Sequence, residues 1–294
     1  MTFKDKLKKA KRTMRFYLIK GLVERMTRLP VSSLPKLQRL FLKVFPLFFK
    51  KEMQRAERLL PDEFTPRKQE ILDGMLKNQI ATILEVIFYE KIKAANPDFI
   101  KINGKEILEQ AVKDHGSFII LSAHFGNWEI IGYELAGMGY QMNVVARPQA
   151  VNQMTEFMNS FREKRGVNVI MGNNIIESLK LIKRKKVVGL LSDLNAREWG
   201  YQVEFFGRTA SFYNAPIILS TRGKVPLIPS FAERQKDGTQ IIRFENPVEF
   251  NEEASMSEKV KAYVSRYEQA FRRKPEQWCW FHERYLHAEL GRTE

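Results

Sequence analysis

Residues 117–129 read SFIILSAHFGNWE, and this stretch decides the fold class. Its first seven positions form an apolar run of strand length, the pattern of a strand buried on both faces. A helix begins near Asn127. The same alternation continues downstream: apolar runs at 141–146 (QMNVVA), 167–171 and 187–192 (VVGLLS) are separated by amphipathic segments that run through about Arg165 and over 175–186. Beyond an irregular stretch, 210–221 reads as helix and 225–231 as a strand, and the Asp237-Gly238 turn leads into another strand at 240–244. Alternation of this kind requires an α/β fold, with a mostly parallel central sheet flanked by helices. In such sheets chemistry collects at the carboxyl ends of the strands.

Upstream the chain reads as helical. Pro30 and Pro35 punctuate it, Pro61 and Pro66 mark a loop, and 67–93 is one long periodic helix that stops before Pro97. The expected organisation is a basic amphipathic helical segment over 1–60, a helical part packed on the core over 61–115, and an α/β core over 116–294, with no repeats or low-complexity linkers. At 294 residues, 44% hydrophobic and 28% charged, the chain can bury a large core and is neither disordered nor collagenous. The lone Cys279 excludes an intrachain disulfide and fits a reducing compartment; the Cys279-x-x-His282 spacing is a weak metal signal, and with no second cysteine pair Cys279 reads as a core residue.

The net charge of +15 calls for an acidic partner. It is unevenly placed: residues 1–60 hold 17 Lys and Arg against 4 Asp and Glu, so the rest of the chain carries only +2. Bulky apolar residues share the same turns, among them Phe16, Tyr17, Leu18, Leu22, Leu40, Phe41, Leu47 and Phe48. No run reaches the ~18 to 20 apolar residues needed to cross a bilayer, and no secretory signal is present. A basic amphipathic segment of this kind lies in an anionic membrane interface. Nucleic acid is disfavoured, since no basic-region heptad, zinc-finger spacing or base-stacking motif accompanies the charge.

At the carboxyl end of the first core strand stands His124-Phe125-Gly126-Asn127-Trp128-Glu129. On one continuous helix His124 and Glu129 would point about 140° apart, at ~3.6 residues per turn. Gly126 removes that objection by allowing a turn closed to other residues, with Asn127 as cap and Glu129 in the first helical turn. Histidine is the side chain suited to taking a proton near neutrality. Two acids are available to orient it: Glu129, close in sequence, and Asp193, at the end of a different strand. Arg147 ends the second strand, placed to hold a phosphate or a developing oxyanion, and Arg208 is a second candidate clamp. Arg162, Arg165 and Arg197 carry weaker signals. Trp128, Phe205, Phe206 and Phe212 are candidates for lining an apolar slot, His282 reads as structural, and His115 and His287 carry no signal. No G-x-S-x-G elbow or P-loop exists, which excludes the usual serine hydrolases and P-loop enzymes.

Further blocks accompany His124-x4-Glu129 in order: Pro46 within the basic segment, 78–85 (NQIATILE), Val144-Val145-Ala146-Arg147, Ser192-Asp193-Leu194-Asn195-Ala196, 204–210 (EFFGRTA), 225–229 (VPLIP) and 275–282 (PEQWCWFH). Over nearly the whole chain this series resembles the bacterial lipid A biosynthesis (late) acyltransferases, within the glycerolipid acyltransferase superfamily. The resemblance implies transfer of a fatty acyl group from acyl carrier protein to a hydroxyl of a phosphorylated lipid A precursor, at the cytoplasmic face of the bacterial inner membrane. It implies His124 as general base; Glu129 or Asp193 is read from the residues as the acid beside it, and Arg147, Arg208 and Asn127 are read on the substrate side. No metal or cofactor is implied; the acyl thioester is a co-substrate. The alternatives are an acyl-CoA-dependent enzyme acting on phosphatidylinositol mannoside or another glycolipid, and a non-catalytic membrane-binding protein.

Overall fold

The computed structural model describes residues 3–149, 151–172, 174–283 and Tyr285, with side chains from Ala10 onward; His287 lies outside the described residues. Four helices come first: α1 (Phe3–Met26), α2 (Leu34–Phe48), α3 (Lys50–Leu59) and α4 (Lys68–Ala95). Then follow β1 (Ile100–Asn103), α5 (Lys105–His115), β2 (Ile119–Ser122), α6 (Glu129–Gly137), β3 (Met142–Ala146), α7 (Asn152–Glu163), β4 (Asn168–Met171), α8 (Ile175–Lys183) and β5 (Val187–Leu191). The chain closes with β6 (Tyr201–Phe205), β7 (Arg208–Phe212), α9 (Ala215–Gly223), β8 (Leu227–Arg234), β9 (Gln240–Phe244) and α10 (Met256–Arg273).

Seven strands form one sheet in the order β1-β9-β8-β2-β5-β3-β4. β8, β2, β5, β3 and β4 are parallel, and only β9, paired antiparallel with β8, and its parallel neighbour β1 run the other way. The sheet is covered on both sides, as the uninterrupted burial of β2 demands. Ile119 and Leu121 enter one core together with residues of α8, α9 and α10, while Ile120 enters a second core with residues of α5 and α6. A third cluster joins Val23 and Met26 of α1, and Leu37, Phe41 and Phe45 of α2, to Leu76, Ile80, Leu84 and Phe88 of α4. The same two helices leave Tyr17, Leu18, Leu22, Leu40, Leu47 and Phe48 exposed.

Three regions depart from the sequence reading, the first being β1, a strand of the sheet inside the stretch 61–115 read as helical. The segment 210–221 is not one helix: β6 and β7 form an antiparallel hairpin through Phe212, and α9 starts only at Ala215. The hairpin turns on Phe206 and Gly207, both with positive φ, as a two-residue turn matched to strand twist requires. The chain after β9 also forms α10, a long helix opened by a capping box between Ser255 and Glu258.

Candidate active site

The sheet register builds the site. β2 and β5 are parallel neighbours with Ser122 opposite Leu191. Two residues beyond that pair, on each strand, stand His124 and Asp193. The His124 Nδ1–H donates to Asp193 Oδ1 at 2.8 Å, and the His124 backbone N–H donates to Oδ2 at 3.1 Å. Trp278 Nε1–H adds a third bond to Oδ2 at 2.9 Å. A carboxylate accepts only, so the proton sits on Nδ1 and the lone pair is left on Nε2. Asp193 is wholly buried, whereas the His124 ring keeps 21% of its side-chain surface accessible, enough to meet a substrate. Two phenols close the far side. Burial, with the nearby charge of Asp193 as a lesser cause, holds Tyr263 and Tyr267 well above the usual tyrosine range. Both stay neutral donors, Tyr263 to the Tyr213 carbonyl at 2.7 Å and Tyr267 to the Ser122 carbonyl at 2.8 Å.

Glu129 lies elsewhere. It opens α6, and both of its oxygens are taken by Arg162 of α7, Nε donating at 2.9 Å and the terminal nitrogen making a second bond. The turn between His124 and Glu129 is set by Gly126, at φ +57°, where a Cβ would overlap the Ala232 carbonyl oxygen. That turn sends Asn127 inward. Its side chain does not cap α6, whose N-cap is Trp128 without a side-chain bond; the fully buried amide donates instead to Glu85 Oε2 at 2.8 Å.

The turn is braced from α4 and from the segment after α10. Asn78, Thr82 and Glu85 fall on one face of α4 at spacings of four and three residues. Thr82 donates to the Gly126 carbonyl at 2.9 Å. Gly126 N–H and Asn78 Nδ2 both donate to the Gln277 carbonyl, at 2.8 and 3.1 Å, and Cys279 N–H donates to the His124 carbonyl at 3.0 Å. Arg234, at the end of β8, binds Asn78 and both oxygens of Glu85, which also receives Gln240 Nε2 at 3.0 Å. The blocks 78–85 and 275–282 thus surround the turn that carries His124.

Two cavities have walls that include a ring neighbour of the histidine, Trp128 in one and His282 in the other. One, of about 60 Å³, lies between α6 and the sheet and is mainly apolar; Trp128, whose ring is 5.0 Å from that of His124, stands in its wall beside Glu129 and Arg162. The other, of about 1040 Å³, is polar, and Arg55, Arg147, Arg197, Glu198, His282 and Glu283 are among its walls. His282 is exposed there, its ring 5.6 Å from that of His124, and is not a core residue. Arg147 donates to the Tyr213 hydroxyl at 2.6 Å, while Arg55 reaches in from α3 and donates to the Phe281 carbonyl at 3.3 Å. Arg208 is outside this lining, 3.5 Å from Asp62 and 5.1 Å from the Tyr285 ring centre. Phe205, Phe206 and Phe212 are buried in the aromatic core with Tyr267, Phe271, Trp278 and Trp280, not in the slot. Sequence reading missed Arg55, His282 and the α4 trio. Only the trio left a signal, three polar residues spaced four and three apart within the mainly apolar stretch 78–89.

A histidine–aspartate pair with an apolar slot and a polar, arginine-lined cavity close to it defines a site for acid–base chemistry on an amphiphile. The family model for bacterial lipid A biosynthesis acyltransferases matches residues 1–287, and the chain belongs to that family. It is therefore an acyltransferase of lipid A biosynthesis, in a membrane-associated family. Among the described residues no helix is long and apolar enough to cross a membrane. No curated protein matches the chain.

Proposed function

We propose that the protein transfers a fatty acyl group from acyl carrier protein to a hydroxyl of a phosphorylated lipid A precursor, with His124 as general base and Asp193 as its orienting acid. The observation that carries this reading is the Asp193–His124 bond, with the His124 ring beside Trp128 of the apolar cavity and His282 of the polar one. His124 Nε2 takes the proton of the acceptor hydroxyl as that oxygen attacks the thioester carbonyl. The tetrahedral intermediate then expels the thiolate: the new C–O bond stays, the C–S bond breaks, and the imidazolium returns its proton to sulfur. Asp193 stays ionised throughout and stabilises the imidazolium, the role an aspartate plays beside a catalytic histidine.

Arg147, with Arg55 and Arg197, supplies forked donors suited to a phosphate group of the acceptor. Glu198 and Glu283 on the same lining disfavour a second anion, so one phosphate is the fitting occupant. The exposed face of α1 and α2 supports docking on the cytoplasmic surface of the inner membrane. Leu18, Leu40, Leu47 and Phe48 stand out from it, and Lys and Arg side chains nearby each add ~1 kcal/mol against anionic lipid.

Mass spectrometry of lipids tests the reading. A strain without the protein should lose one secondary acyl chain from lipid A, and His124→Ala should fail to restore it although the variant still folds and stays on the membrane. An unchanged profile in the strain, or restoration by the variant, defeats it.

A further inference from the structure

The cavity between α6 and the sheet, at about 60 Å³, falls well under the ~300 Å³ at which ligand pockets ordinarily begin. Something in its wall must move before a fatty chain can enter. Most of the wall is rigid: Ile120, Val144 and Leu191 project from paired strands, and Ile131 from α6. Two glycines interrupt it. Gly189 sits on the inner strand β5, opposite Ile120 of β2 and Val144 of β3. Gly132 sits on α6 against the sheet, where a Cβ would be 3.4 Å from Val167 Cγ2 and 4.0 Å from Met142 Cγ.

One side chain occupies the room both glycines leave. Met142 passes Gly132 with its Cγ and puts its Cε where a Gly189 side chain would be, so a Cβ at Gly189 would overlap that methyl. Met142 is only 1% exposed, yet it is unbranched, with three rotatable bonds and a soft thioether, and it gives way where branched neighbours cannot. Its distance from the chemistry is fixed by β5. From Asp193 back to Gly189 is four residues, ~13 Å at ~3.3 Å per residue. A zigzag of ~1.5 Å carbon–carbon bonds advances ~1.3 Å per atom, so about ten carbons beyond the reacting carbonyl reach Met142.

We infer that Met142 gauges acyl-chain length: tails of about ten carbons stop against it, and longer ones enter only as its thioether leaves Gly189. This rests on the acyl-transfer reading above, with the slot as the seat of the tail.

The test is a competition in which the full-length protein is offered acyl carrier protein thioesters from about 8 to about 16 carbons together and the acylated acceptors are weighed, since a methylene in an apolar slot is worth ~10-fold or more. Met142→Ala should raise the ratio of long-chain to short-chain product at least ~10-fold, and Gly189→Ala, which drives the thioether into the slot, should lower it comparably. Combining the two should bring the ratio back toward that of the unaltered protein. Loss of folded protein lowers every product alike and does not move a ratio. Ratios unchanged in both single variants, while the unaltered protein transfers normally, overturn the gauge. If the unaltered protein transfers from none of the thioesters, the acyl-transfer reading fails first and the gauge falls with it.

Discussion

The carboxyl end of β5 and the first turn of α6 each offer a carboxylate to the histidine motif, and they use it in opposite ways. Asp193 is 69 positions from His124 in sequence and in direct contact with it; Glu129 is five positions away and bonded to Arg162. Nearness along the chain did not decide the pairing. A parallel strand pair delivers its two carboxyl ends to one rim in register, whereas the left-handed turn at Gly126 steers the chain aside before Glu129 is reached. The donors from His124 and Trp278 turn Asp193 toward one nitrogen of one ring, which holds the imidazole in a single tautomer. Glu129 and Arg162 are 15% and 14% exposed and complete a clamp between α6 and α7.

The largest test of this difference is Asp193→Asn. The amide keeps the shape but presents a donor to Nδ1 or forces the other tautomer, so kcat should fall by ~10⁴-fold, the size of effect seen when a buried aspartate beside a catalytic histidine is neutralised. Circular dichroism should be unchanged and thermal unfolding little shifted. A turnover within tenfold of the unaltered protein would remove Asp193 from the mechanism.

Glu129 and Arg162 should act as one unit. Removing either partner leaves the other charged and mostly buried, a cost of ~3 to 5 kcal/mol in unfolding free energy. Glu129→Gln and Arg162→Met should each lower stability by that order in urea titrations. The double variant should lose little more than either alone, and the turnover of all three should fall by a common factor. If Glu129→Gln cut kcat far more than Arg162→Met at equal stability, Glu129 would act on the reacting atoms and the contrast with Asp193 would collapse.

What the sequence discloses follows from what its patterns encode. The buried parallel strands are legible as short apolar runs, and from them the rim on which His124, Arg147 and Asp193 stand. The choice between two acids is not legible, because strand order is a long-range property: β2 and β5 are neighbours only after β3 and β4 have been placed beyond β5. The β6–β7 hairpin escapes because its turn needs positive φ at Phe206, a conformation that bulky residue types rarely signal. Two features were readable and passed over: the Ser255-x-x-Glu258 capping box that opens α10, and the Asn78, Thr82 and Glu85 face of α4. A buried polar stripe on a helix means that something polar must be packed against it, and here that is the turn bearing the histidine.

The smallest effect belongs to Trp278→Phe, and it separates two ways of orienting a carboxylate. Phenylalanine keeps a ring to stack on Phe271, whose centroid is 4.2 Å from that of Trp278, but deletes the indole N–H bonded to Asp193 Oδ2 at 2.9 Å. Losing a bond to a charged acceptor costs ~1.5 to 3 kcal/mol of stability, measurable by urea titration. Turnover should fall much less, by under about tenfold, equivalent to ~1.4 kcal/mol. The reason is geometric: the two bonds from His124 itself, one from its backbone N–H and one from its ring, already fix both carboxylate oxygens in the plane that faces Nδ1. The indole then serves chiefly to keep a fully buried charge satisfied. A loss approaching that of Asp193→Asn would mean that the histidine does not hold its own acid in place, and that the terminal tryptophan does.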